Sequence, residues 1–148
     1  MRPGFGAIAW QIPNDDSTSI ASEGSIMSRK IANHEVLARY RDALLVHFPD
    51  QLQRLILFGS QARGDATAES DIDVLVVMNW EEERLPGGFY AAPFSDPRWQ
   101  AIIDAASDIS LEYGVYIAPH VISERRFHEW SPLVNQAKEE GIEIWRRN

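Results

Sequence analysis

The 148-residue sequence contains no cysteine. That excludes a disulfide framework, a thiolate zinc site and a cysteine nucleophile, and it fits a protein of the reducing cytoplasm. Basic residues are in the minority: 14 Lys and Arg stand against 22 Asp and Glu, for a net charge of −8. That sign works against the phosphate-backbone attraction that dominates polynucleotide binding, so direct binding of nucleic acid is not expected and a small molecule or a protein is. Long hydrophobic runs are missing too. The longest, near 74–78, falls far short of the roughly 18 to 20 apolar residues that cross a bilayer. The first residues also lack a compact apolar segment with a small-residue cleavage site, so neither a membrane span nor a signal peptide is expected. No internal repeat is visible.

What is present is an ordinary globular composition, 45% hydrophobic and 24% charged, at a length that suits one core. Residues 1–27 mix Gly, Pro, Ser, Thr and Asp without a sustained period, the pattern of a disordered or loosely packed N-terminal arm. Residues 28–148 then form the folded domain, and Met27 is a second candidate start beside Met1. Over 31–48, Ile31, Val36, Leu37, Tyr40, Leu44, Leu45 and Phe48 recur at helical steps. Short apolar runs at 55–58 and 71–78 read as buried strands. Residues 79–98, crowded with Pro, Gly and acids, read as a surface loop over one edge of a site. A helix over 97–112, capped by Ser95 or Asp96, leads to a strand over 115–122, where Pro119 predicts an edge. Two helices over 124–128 and 131–140 and a strand over 142–145 complete an α/β fold, a small mixed sheet flanked by helices.

The informative stretch is LFGSQARGDATAESDIDVLVV, residues 57–77. Side chains alternate along a strand, so Asp71 and Asp73 share one face while Ile72 and Val74 share the other. Two carboxylates so close repel each other unless a cation joins them, and the hard-oxygen answer is a divalent ion such as Mg²⁺. Upstream, Gly59 permits a sharp turn and a close approach to the backbone, Ser60 offers a hydroxyl and an N–H at a helix start, and Arg63 adds a positive charge one turn on. Gly64 and Asp65 close that short helix. An anion holder and a metal holder on adjacent strands suit a Mg²⁺-nucleoside triphosphate.

These residues resemble the signature of the nucleotidyltransferase superfamily that includes the DNA polymerase β palm. The match is similar above all to the minimal nucleotidyltransferases, often encoded beside a HEPN-domain partner in prokaryotic toxin–antitoxin pairs. The tail SPLVNQAKEEGIEIW is similar to their usual ending, so the likeness covers residues 28–145. It implies a polymerase-β-palm-like mixed sheet, two-metal nucleotidyl transfer from ATP, Asp71 and Asp73 as catalytic metal ligands, and Gly59 and Ser60 as triphosphate holders. It also implies a HEPN toxin as partner, silenced by transfer of AMP to a tyrosine. In one respect the sequence departs from the superfamily. Active members carry a third carboxylate on the next strand, expected here near Tyr116, and the local substitutes are Glu112 as an acid and His120 as a base. Two further readings therefore stand beside enzymatic transfer to a protein: a non-catalytic antitoxin that binds nucleotide and neutralises its partner stoichiometrically, and a small-molecule (antibiotic) nucleotidyltransferase. Trp99, Trp130 and Trp145 read as packing residues, Trp80 as open to a ligand, and the acidic run 81–83 as a solvated face.

Overall fold

A computed structural model describes the backbone of residues 21–32 and all of residues 33–67, 70–91 and 96–148. Helix α1 (Ala21–His47) leads into β1 (Leu52–Phe58), the short α2 (Ser60–Arg63) and β2 (Ile72–Met78). Helix α3 (Pro97–Tyr113), β3 (Ile117–Ser123), α4 (Glu124–Phe127), α5 (Pro132–Glu140) and β4 (Ile142–Arg146) follow. The helix that begins the fold starts ahead of its apolar stripe, so 21–27, read from sequence as arm, is helical backbone. Good helix formers such as Ala21, Glu23 and Met27, with no proline among them, favour this where amphipathy gives no signal. Residues 1–20, the rest of the expected arm, lie outside the described residues.

The sheet has the order β3-β2-β1-β4, with β2 and β3 parallel and the other pairs antiparallel. It is mixed, as expected, and the Pro119 strand is at its edge, where one side needs no ladder donors. Alternation sorts the central strands into two faces. Leu55, Leu57, Val74 and Val76 pack with Val36, Leu37, Tyr40 and Leu44 of α1 and with Ile102, Ala106 and Ile109 of α3. Ile56, Phe58, Leu75 and Val77 meet Phe127 of α4 and Val134 and Ala137 of α5. Each such fully buried aliphatic side chain contributes about 1.5–3 kcal/mol through lost water contact. The buried Tyr40 hydroxyl donates to the Ile102 carbonyl at 3.0 Å, and burial pushes its pKa up.

Caps set the helix limits. Asp96 accepts from the Arg98 N–H and Ser131 from the Val134 N–H, each ahead of a proline in the first turn. Ser95, the alternative cap, lies outside the described residues. α5 ends where Gly141 turns extended, and the position must be glycine because a Cβ there would overlap the Ala137 carbonyl oxygen and stand 2.6 Å from Ile56 Cγ2. The last turn of α5 is therefore pressed onto β1.

The loop after β2 leaves from the end of the strand opposite Asp73, which corrects the expectation that it covers the site. Its Arg84–Tyr90 bridge is tied to Glu129 instead, by Arg84 at 2.7 Å and by the Tyr90 hydroxyl at 2.6 Å.

Candidate active site

β1 ends at Phe58, whose antiparallel partner is Asp73. The next residue turns the chain: Gly59 has φ +75° and ψ −158°, a conformation that side chains other than glycine's rarely adopt. Space demands glycine as well. A Cβ on Gly59 would stand 2.6 Å from Asp73 Oδ2. The turn thus lies directly against the carboxylate, and α2 begins at Ser60 and closes at Gly64 in the left-handed region. Gln61 ties this turn to its surroundings, accepting from Asn33 Nδ2 at 2.9 Å and donating to the Ser70 carbonyl at 3.3 Å. Among the described residues, the N–H groups of Ser60 and Gln61 and the Ser60 hydroxyl have no hydrogen-bond partner.

Asp71 is exposed just ahead of β2, and Asp73 is half-buried within it. The Ile72 N–H between them donates to the Tyr116 carbonyl at 2.8 Å, which anchors the strand start to β3. In the parallel register Asp73 stands beside Ala118 and Leu75 beside His120. Alternation therefore persists through Pro119, and His120 Nε2 comes to 3.4 Å from Asp73 Oδ1. The imidazole packs edge-on against Phe58, with ring centres 5.3 Å apart.

The fold separates the two expected substitutes for a third acid. His120 is brought to Asp73. Glu112 is not: it pairs with Arg39 of α1 at 2.9 Å, on the face of the sheet covered by α1 and α3. Tyr116 precedes β3 and is mostly exposed. The residue that lies level with Asp73 is Ala118, which has no polar group. Among the described residues, no cluster of three or more His, Asp or Glu side chains could hold a metal ion.

Arg63 points away from an open role. It is bonded to Asp65 at 3.2 Å and to both oxygens of Glu140 at 3.1 Å, and hydrogen bonds to Asp65 and then Glu140 raise its pKa above the ordinary value. Glu140, a residue the sequence did not single out, also accepts from the Gly59 N–H at 2.9 Å. It lies 77 positions from Arg63, so no local spacing marks it. The only available hint was a carboxylate just before a helix-ending glycine.

The aromatic expectations divide. Trp80 meets Phe48 edge-on and carries the Arg98 guanidinium 4.4 Å above its ring, so it is a packing residue rather than an open one. Trp130, expected to pack, is 79% exposed. Trp145 lies partly buried against the core as expected.

Residues 37–144 match the nucleotidyltransferase domain family. A Methanocaldococcus jannaschii protein provisionally named protein adenylyltransferase MJ0141 is 30% identical over 110 residues, 74% of this chain and 96% of the relative. A second from the same organism, provisionally named protein adenylyltransferase MJ0604, is 33% identical over 100 residues, 66% of this chain and 83% of the relative. Among solved structures, a toxin–antitoxin with AMP-PNP is similar at 20% identity and a TM-score of 0.45, over 74% of this chain and 73% of that one. From these sequence matches, the chain belongs to the nucleotidyltransferase domain family.

Proposed function

We propose that the protein binds Mg²⁺-ATP between the Gly59–Ser60 turn and the Asp71/Asp73 pair and transfers AMP to a hydroxyl of a partner protein, a HEPN-family toxin that it silences as antitoxin. The observation that carries this reading is the approach of the turn to Asp73, so close that a Cβ at Gly59 would fill the gap. The names of the two archaeal relatives support protein adenylylation in particular.

The donors present suit Mg²⁺. It takes hard oxygen ligands, keeps several waters and is commonly held by one or two carboxylates plus substrate phosphates, so Asp71 and Asp73 suffice for the protein's share. Bound there, Mg²⁺ would offset the negative charge of the triphosphate and of the departing pyrophosphate. The protein's own groups do the rest. The Ser60 and Gln61 N–H groups and the Ser60 hydroxyl donate to phosphate oxygens. The acceptor hydroxyl oxygen bonds to the α-phosphorus, the bond from that phosphorus to the pyrophosphate oxygen breaks, and the hydroxyl proton passes to the His120 imidazole beside Asp73. Glu112 has no part in this reading, and Arg63 shapes the turn rather than meeting the phosphates.

One observation favours a second reading. Ala118 stands level with Asp73, and neither it nor Tyr116, near which the third acid is expected, carries a carboxylate, which suits an antitoxin that binds nucleotide and neutralises its partner stoichiometrically. Incubation of the protein and its partner with ATP labelled at the α- or the γ-phosphate decides between them. Label entering the partner from the α position alone, and absent with Asp71→Ala/Asp73→Ala, is expected. Neutralisation of the partner without any label would select the second reading.

A further inference from the structure

Helix α5 delivers one carboxylate to the turn beside Asp73. Glu140 Oε1 accepts from the Gly59 N–H at 2.9 Å and from Gln136 Nε2 at 2.8 Å, and Arg63 Nη1 stands 3.1 Å from each oxygen. Its side chain is only 20% exposed, and its place is set by packing: Val134 and Ala137 of α5 lie in the core, and Gly141 brings the helix end against Ile56. Burial pushes the Glu140 carboxyl up, but the hydrogen bonds from Gln136, Arg63 and Gly59 outweigh it and hold the pKa below the ordinary value.

A carboxylate in this place could act in two opposed ways. It could compete with a phosphate for the Gly59 N–H, or it could hold the turn in shape for the donors that remain. Those donors decide the matter. The N–H groups of Ser60 and Gln61 and the Ser60 hydroxyl are unpartnered among the described residues, and they follow Gly59 directly. A phosphate can therefore bind without displacing Glu140, whose charge Arg63 already balances.

We infer that Glu140 is a positioning residue of the nucleotide-holding turn, fixing Gly59 and Arg63 so that the free donors of Ser60 and Gln61 stand preformed beside Asp73. This rests on the nucleotide-binding reading above. The test is the Kd for Mg²⁺-ATP, measured calorimetrically well below the thermal transition, for the wild type, Glu140→Ala, Glu140→Gln, Arg63→Met, the Glu140→Gln/Arg63→Met pair and Asp71→Ala/Asp73→Ala. Glu140→Ala is expected to weaken binding about tenfold or more, on the scale of a lost charged hydrogen bond. Glu140→Gln, which keeps an acceptor for the Gly59 N–H, should fall between, and Arg63→Met should add little to it because both act through one contact. Unchanged binding in folded Glu140→Ala overturns the inference, and tighter binding overturns it in favour of competition. Should that variant not fold, wild-type affinity in either Glu140→Gln or Arg63→Met overturns it equally. If the wild type does not bind Mg²⁺-ATP, or binds as well without the two aspartates, the nucleotide-binding reading itself fails and takes this inference with it.

Discussion

At the end of β1, Glu140 joins the Gly59 N–H to the Arg63 guanidinium; at the end of β3, Glu82 joins the Ser123 N–H, at 2.9 Å, to the Arg126 guanidinium, at 3.0 Å. Both are strand-to-helix junctions, each followed by a four-residue helix, and they lie at opposite ends of the sheet. The cap residues differ. Ser123 has φ −75° and its hydroxyl accepts from the Arg126 N–H, so α4 begins with a side-chain cap on its third N–H. Gly59 has φ +75° and no side chain, so only its carbonyl serves α2, accepting from the Ala62 and Arg63 N–H groups at 3.1 Å. The same carboxylate staple therefore serves a junction closed by a cap side chain at one end and one left open at the cap position at the other. On the proposed reading, the missing cap side chain is what leaves room for a phosphate beside Asp73.

Breaking the open junction should have the largest effect. Gly59→Ala places a Cβ at positive φ and 2.6 Å from Asp73 Oδ2, so the turn and the carboxylate must move apart. Loss of about two hydrogen bonds to the phosphates is expected to cost about a hundredfold in Mg²⁺-ATP affinity, measurable by calorimetry. Ser123→Ala at the closed junction should cost about 1 kcal/mol in urea denaturation and leave nucleotide affinity unchanged. Equal effects on nucleotide binding from both would dissolve the contrast.

The next largest change adds a group. Ala118→Asp sets a carboxylate level with Asp73 on the parallel neighbour strand, where it can share a cation and take a proton. If the protein transfers AMP, the rate to its partner should rise by about tenfold or more, at some loss of stability from like-charge repulsion without a metal. A variant that binds Mg²⁺-ATP but transfers no faster than the wild type would show that the missing acid does not limit the reaction.

Much of this contrast was legible before the fold was known. The strands at 55–58 and 71–78 announce themselves by apolar content, and Asp71 and Asp73 stand out because charge interrupts that content. Pro119 gave away an edge strand. Other features depend on which chain segments meet. Glu112 as an acid and His120 as a base were both candidates by sequence, and only the two-faced packing of the sheet sends one to α1 and the other to Asp73. Glu82 looked like one of three solvated acids, yet its side chain is 18% exposed because α4 comes back to it from 41 positions away. Trp130 shows the converse, a large aromatic residue that reads as a packing residue and that the short α4–α5 connection leaves in solvent.

The closed junction offers the control for Glu140. Glu82→Gln keeps an acceptor for the Ser123 N–H but gives up the charged bond to Arg126, and is expected to cost about 1–2 kcal/mol of stability. Because Ser123 lies at the far end of the sheet, Mg²⁺-ATP affinity should stay at the wild-type value. A loss of affinity here matching that of Glu140→Gln would mean that the fold as a whole, rather than the turn, senses the removal of a carboxylate.

The smallest expected effect concerns acid. The Glu140 carboxyl is held below its ordinary value of 4.5, because the bonds from Gln136, Arg63 and Gly59 outweigh the burial that pushes it up. A carboxyl whose folded pKa lies below its unfolded one stabilises the fold fully above the unfolded value and loses that contribution as pH falls through the folded value. The difference in Tm between the wild type and Glu140→Gln should therefore be constant in neutral solution and shrink below about pH 4.5. Asp96 and Glu129 are also held low, by bonds from Arg98 and from Tyr90, but they titrate in both proteins and cancel in the difference. A difference that stays flat down to about pH 3 would mean that Gly59 and Arg63 are held equally well by the neutral acid, and that the charge of Glu140 is not what closes its side of the turn.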